Sequence, residues 1–197
     1  ANSKLKHFQE AFQDLALIKN PEKLSPSQQI ERVLLGAELY EQKGDNETAI
    51  RYLTELVRNW KGLPRLVAEP YYRLGTIEKK VGRTKDAVTS FRQVDALMEE
   101  SGEVSVATHQ KALEALAQIS LDAQKSDDAI KYYARLLELY EKKAPLGSVR
   151  YKLGQLYFER GEMQKASDTW NQFDQKQDSF WAKLAEEKMQ SSRWSDD

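Results

Sequence analysis

An alanine recurs along this chain at nearly constant spacing. Ala49, Ala87, Ala129 and Ala166 are separated by intervals of 38, 42 and 37 residues. Three of them follow a glycine by five residues, and Ala129 follows a polar turn at residues 125–128. A repeat of this length accommodates two helices and two turns, so we expect an array of helix pairs.

Each recurring alanine begins an amphipathic stretch. Ala87 is followed by Phe91 and Val94, and Ala129 by Tyr133. Offsets of four and seven residues place such side chains on one face of a helix. A second stretch of helical periodicity precedes each turn, so every unit is predicted to hold a first and a second helix.

Small residues mark where the paired helices are expected to cross. Gly75 and Gly154 lie in first helices, and the recurring alanines lie in second helices. Small side chains allow the backbones of two helices to approach closely. The aromatic residues expected to fill the core around these crossings are Tyr71, Phe91, Tyr133, Trp170 and Phe173.

The repeat resembles a known family signature. Leu74-Gly75, Gly82, Ala87 and Phe91 form one instance, and Leu153-Gly154, Tyr157, Gly161, Ala166 and Trp170 form another. This pattern is similar to the tetratricopeptide repeat (TPR), with four units over about residues 29–176. The third unit has Gln124 where a turn glycine is usual. The resemblance implies an all-α, right-handed superhelical solenoid of antiparallel helix pairs, with about nine or ten helices.

The two ends of the chain differ from the middle. Residues 1–24 are predicted to form a flanking helix, over Lys4 to Ile18, and a loop. Residues 25–176 hold the four helical hairpins, and Ser25 with Gln28 suits a capping box at their start. Residues 177–197 are predicted to be a capping helix with a polar tail, because a solenoid must cover its last apolar surface.

The units are longer than the family's usual repeat. This longer repeat length is similar to that of periplasmic bacterial members of the family, including outer-membrane assembly proteins. The resemblance implies a bacterial envelope assembly, and a periplasmic rather than a cytoplasmic location. The sequence begins Ala-Asn-Ser without Met, so we expect it to be a processed or excised part of a longer protein.

Composition excludes several classes of function. The 30 basic residues against 31 acidic ones leave a net charge of −1, which provides no positive field for nucleic acid. Cysteine is absent, so disulfides and thiolate metal sites are excluded. No apolar run approaches the roughly 20 residues that a membrane-spanning helix needs.

No group of residues in the sequence indicates catalysis. The two histidines, His7 and His109, have no metal-ligand spacing, and no phosphate-binding glycine motif is present. Paired acids such as Asp127-Asp128 are typical of helix starts. We therefore predict a protein that is not an enzyme and needs no metal or cofactor.

A partner-binding groove is the leading functional hypothesis. In the family, the first helix of each pair lines the concave face, and residues beside the core positions point into it. An extended or helical peptide is the expected ligand. The alternative is that these side chains cover the chain's own helices or termini. The candidate groove residues are Leu34, Glu38, Tyr72, Arg73, Thr76, Lys111, Gln118, Leu121, Tyr151, Lys152, Gln155 and Phe158.

The sequence thus predicts a non-catalytic protein–protein interaction scaffold or adaptor. The other hypothesis is a structural or self-associating subunit that uses its ends and convex face, with Trp60 and Trp194 as contacts. Capture of a chaperone's C-terminal carboxylate is disfavoured, because Glu38 stands where that role needs an asparagine. The sequence allows homo-oligomerisation. If the groove residues are free to bind a partner, the double change Tyr151→Ala and Phe158→Ala is expected to leave thermal stability nearly unchanged.

Overall fold

The computed structural model describes residues 10, 13, 17, 23–174 and 176–193, with side chains to residue 190. Every regular element within these ranges is an α-helix, apart from short turns. The predicted flanking helix at residues 4–18 lies almost wholly outside the described residues. The nine described helices are α1 (Pro26–Lys43), α2 (Asn46–Asn59), α3 (Pro64–Lys80), α4 (Thr84–Ser101), α5 (Val106–Asp122), α6 (Ser126–Tyr140), α7 (Gly147–Glu159), α8 (Met163–Trp170) and α9 (Ser179–Arg193).

The chain packs into two compact units, Ala1–Ala112 and Leu113–Asp197. Within the first, α1 packs against α2, α2 against α3, and α3 most extensively against α4. Within the second, α7 packs against α6, α8 and α9. The two helices of the first, second and fourth hairpins are therefore neighbours in space, as the helix-pair prediction requires.

The first hairpin begins at the capping box that the sequence predicts. The backbone N–H of Gln28 donates to Ser25 Oγ at 3.4 Å, and the N–H of Ser25 donates to Gln28 Oε1 at 3.0 Å. Pro26 occupies the first turn of α1, where its missing N–H leaves no hydrogen bond unmade. After α1, the Asp45 carboxylate accepts from the N–H of Thr48 at 3.1 Å and starts α2.

The turns inside the hairpins use one backbone conformation, although their sequences differ. Gly82 and Gly161 have φ of 83° and 74°. Gln124 has φ of 58°, and it is the one non-glycine among the described residues with positive φ. The third unit therefore makes the same left-handed turn without glycine, at a steric cost of roughly 1 kcal/mol.

Aromatic rings occupy the space beside the two glycines of the first helices. A Cβ on Gly75 would lie 2.9 Å from Phe91 Cε1, and one on Gly154 would lie 2.2 Å from Trp170 Nε1. Trp170 also donates from Nε1 to the carbonyl of Tyr151 at 3.1 Å. The close crossings predicted from the small residues are confirmed, and each is filled by a ring of the second helix.

Buried polar side chains join the helices of the first unit. His109 of α5 is fully buried, and its Nε2 lies 2.7 Å from Asp95 Oδ1 of α4. Glu78 of α3 is also buried, and Ser90 Oγ of α4 donates to its Oε2 at 2.7 Å. Burial raises the pKa of Glu78 above its ordinary value of 4.5, and the nearby Asp86 raises it further, although the bond from Ser90 acts in the opposite direction.

A buried arginine holds together the loops of the second unit. Arg150 of α7 is 6% exposed. Its guanidinium donates to Glu141, to Gln172 Oε1 at 2.9 Å and to the carbonyl of Thr169 at 3.4 Å. It therefore ties the loop before α7 to the end of α8, with its buried charge paired.

We expect Glu78→Gln to change the pH dependence of stability. Because the folded-state pKa of Glu78 is raised, its contribution to the free energy of unfolding is largest below pH 4.5. This contribution is lost as the pH rises through the raised folded-state pKa. Glutamine keeps an acceptor for Ser90 but does not ionise. The stability of the variant relative to the natural chain should therefore increase from pH 4.5 upward, as measured by urea unfolding. Glu55→Gln, at an exposed carboxylate, is the control, and a pH-independent difference for Glu78→Gln would contradict the assignment.

We expect Gly154→Ala to destabilise the fold by about 1–3 kcal/mol, since the new Cβ overlaps the Trp170 indole. Gly62→Ala is the matched control, because nothing lies within 4 Å of a Cβ at that position. Thermal unfolding followed by circular dichroism compares the two. Equal melting temperatures would show that the indole moves aside without cost.

Candidate functional site

The predicted groove residues all lie on first helices of the hairpins, α1, α3, α5 and α7. Thr76, Lys111, Gln118 and Lys152 are exposed, and the other eight are half-buried. The structure divides them between the two units at residues 112 and 113.

In the first unit, the structure gathers most of the predicted residues around one cleft of about 420 Å³. Leu34 is the one predicted residue of this unit that does not line it. Sequence reasoning missed four lining residues, although Glu41 and Lys80 lie three or four positions after predicted ones on the same helix faces. The lining residues are Glu38, Glu41, Gln42, Glu69, Tyr72, Arg73, Thr76, Lys80 and Lys111.

Most charges of this cleft are paired with one another. Arg73 Nη1 lies 3.3 Å from Glu38 Oε2 of α1, and its Nε lies 3.5 Å from Glu69 Oε1 of α3. Thr108 Oγ1 of α5 donates to Glu69 Oε2 at 3.0 Å. These bonds link α1, α3 and α5 and leave little charge available to a ligand.

Lys111 is the exception among the cations that line the cleft. Its side chain is exposed and forms no ion pair with any described residue. Its Nζ lies 5.8 Å from the centroid of the Tyr72 ring, which in turn packs 5.8 Å from the ring of Phe91. The ring supplies a weak cation–π contact, so the ammonium group keeps most of its capacity to bind an anion. The cleft therefore presents one cation beside one half-buried aromatic ring.

In the second unit, the two predicted aromatic residues pack against the chain's own last helix. The Tyr151 ring lies 6.0 Å from Trp170 and 5.6 Å from Trp181 of α9. The Phe158 ring lies 6.0 Å from Trp170, and Lys188 Nζ of α9 lies 5.6 Å from its centroid. Both rings thus belong to the apolar cluster that attaches α9 to α7 and α8.

The polar candidates of this unit interact mainly along their own helices. Gln118 Nε2 donates to Asp122 at 2.8 Å, and Gln155 Nε2 donates to Glu159 at 2.6 Å. Lys152 Nζ lies 5.8 Å from the centroid of the buried Tyr133 ring. No cluster comparable to the first-unit cleft forms among them in the described part of the chain.

A larger cavity of about 750 Å³ lies between the loops that Arg150 joins. Its lining is polar, and its one buried guanidinium is already paired with Glu141 and Gln172. Over the described residues, no three His, Asp or Glu side chains come together as a metal site. None of the described helices has the length and apolarity needed to cross a membrane.

Residues 111–172 match the family model described as Tetratricopeptide repeat. Residues 111–172 therefore carry a tetratricopeptide repeat. Its all-α fold class, predicted from the recurring glycines and alanines, is confirmed by TPR-containing solved structures. No curated protein matches this chain significantly in sequence.

Solved structures of similar fold cover most of this chain. BtubC from P. vanneervenii is 18% identical over 95% of this chain and 76% of its own, with a TM-score of 0.69. A putative kinesin light chain from Podosopora anserina, with TPR-like repeats, is 15% identical over 96% of this chain and 90% of its own, with a TM-score of 0.64. A tetratricopeptide repeat protein from Parabacteroides merdae is 19% identical over 81% of this chain and 58% of its own, with a TM-score of 0.63. Identities this low show the fold alone.

We expect Tyr151→Ala to lower the melting temperature, in contrast to the near-neutral effect predicted from the sequence. The change removes a ring that contacts both Trp170 and Trp181, and such a loss costs about 2–4 kcal/mol when the ring is partly buried. Differential scanning calorimetry measures the shift, with Tyr132→Ala as the control at another half-buried tyrosine. An unchanged melting temperature would show that the ring does not secure α9.

Proposed function

We propose that this protein is a non-catalytic adaptor that binds a peptide or helix of a partner protein in the first-unit cleft. The TPR fold in general supports protein–protein interaction scaffolds, and its members are generally non-catalytic. The observation that carries the proposal is the unpaired Lys111 beside Tyr72, in a cleft whose other charges pair with one another.

The cleft favours a particular kind of peptide. An acidic side chain of the ligand would pair with Lys111, and an apolar neighbour would pack on the Tyr72 ring. Ligand charges elsewhere in the cleft would compete with existing ion pairs. In one of these, Lys80 Nζ lies 2.9 Å from Glu41 Oε1. A segment with an isolated Asp or Glu next to an aromatic or aliphatic residue therefore fits best, and a polyacidic one does not.

The groove residues of the second unit enter this proposal in a smaller role. Gln118, Leu121, Lys152 and Gln155 remain candidate partner contacts on the second unit by itself. Tyr151 and Phe158 are better assigned to attachment of α9, because their rings already pack against its side chains. The envelope location implied by the resemblance, and the division at residues 24 and 176, remain predictions.

A displayed library of random peptides tests the proposal. Peptides selected on the natural chain should contain an acidic residue beside an apolar one. Isothermal titration calorimetry should then show about tenfold weaker binding to Lys111→Glu, since an attraction becomes a repulsion. Thr76→Glu should also weaken binding, because it places a carboxylate in the cleft that repels the acidic side chain of the ligand.

Lys61→Glu is the matched control, because it makes the same charge change at an exposed residue outside the cleft. Selected peptides that bind equally to the natural chain, Lys111→Glu and Thr76→Glu would contradict the cleft hypothesis. Circular dichroism of each variant separates a loss of binding from a loss of fold.

A further inference from the structure

The last helix has the residue spacing of a first helix in a hairpin. Trp181, Leu184 and Ala185 of α9 are spaced as Tyr71, Leu74 and Gly75 are in α3. In the α3–α4 hairpin, a second helix follows and places the Phe91 ring on Gly75. Within the described residues, no second helix follows α9.

A groove of about 460 Å³ lies where such a helix would pack, between α8 and α9. Its α8 side consists of Ser167, Trp170 and Asn171. Its α9 side carries small residues that would let another helix approach closely. The α9 lining residues are Ser179, Ala182, Lys183, Ala185, Glu186 and Met189.

The charges at the rim of this groove indicate its occupant. Lys183 and Glu186 are both exposed, lie about one helical turn apart and form no ion pair with each other. Glu186 Oε1 accepts a hydrogen bond from the neutral amide of Gln190 at 3.1 Å, which leaves the negative charge of Glu186 unneutralised. An antiparallel copy of α9, with its two-fold axis between Leu184 and Ala185, puts Lys183 opposite Glu186 of the second copy. The two-fold axis repeats this pair, with Glu186 of the first copy opposite Lys183 of the second. The charges at the rim of one copy therefore complement those of the other.

We propose that this protein self-associates into an antiparallel dimer in which α9 of each copy lies in the α8–α9 groove of the other. The interface is in the second unit and does not involve Lys111 or the first-unit cleft. The proposal therefore goes beyond the adaptor function and does not depend on it.

Exchanging the two charges gives a specific test. Sedimentation of the natural chain over a concentration series should show a species of twice the 22.7 kDa monomer mass. Lys183→Glu and Glu186→Lys, each alone, should weaken dimerisation about tenfold or more, because both pairs become repulsive. The double variant should recover the dimer, and an equimolar mixture of the two single variants should form a heterodimer.

Glu187→Lys is the control, because it reverses an exposed charge on α9 outside the groove. It should dimerise like the natural chain. A natural chain that stays monomeric at all concentrations overturns the proposal. So does a dimer that neither single reversal weakens, since its interface would lie elsewhere.

Discussion

The fold depends on how closely the two helices of a hairpin can cross. At Gly75 and Gly154, the ring of Phe91 or Trp170 occupies the volume that a Cβ would need. The buried apolar area of the ring stabilises the hairpin without the side-chain disorder that a longer aliphatic residue would bring. The Trp170 indole also satisfies the Tyr151 carbonyl. The positions of the groove side chains on α3 and α7 follow from these crossings, because the crossings fix the rotation of those two helices.

The two units use the exposed faces of their first helices differently. In the first unit, ion pairs from Arg73 and Lys80 join α3 to α1, the first helices of successive hairpins, and leave a cleft with one available cation. In the second, the corresponding face of α7 is partly covered by α9, through Tyr151, Phe158 and Trp181. Aromatic residues at similar repeat positions thus line an open cleft in one case and attach α9 in the other.

Sequence reasoning identified the repeat and the capping box because both rest on local rules. The hydrogen bonds of Ser25 and Gln28 need only residues three apart in the chain. It also placed five cleft residues on the correct helix faces, because helical periodicity fixes which side chains are neighbours. It missed Glu69 and Lys80, since their roles depend on partners 39 residues away, Thr108 and Glu41.

The sequence by itself determined the helix pairs, their turns and the small residues at their crossings, because these follow from periodicity, backbone preference and side-chain volume. It also determined which residues share the face of a first helix. Only the tertiary structure decided which of those residues remain accessible. Whether Lys111 keeps its charge available, or Tyr151 contacts Trp181, depends on packing between helices distant in the chain. No local pattern encodes that packing.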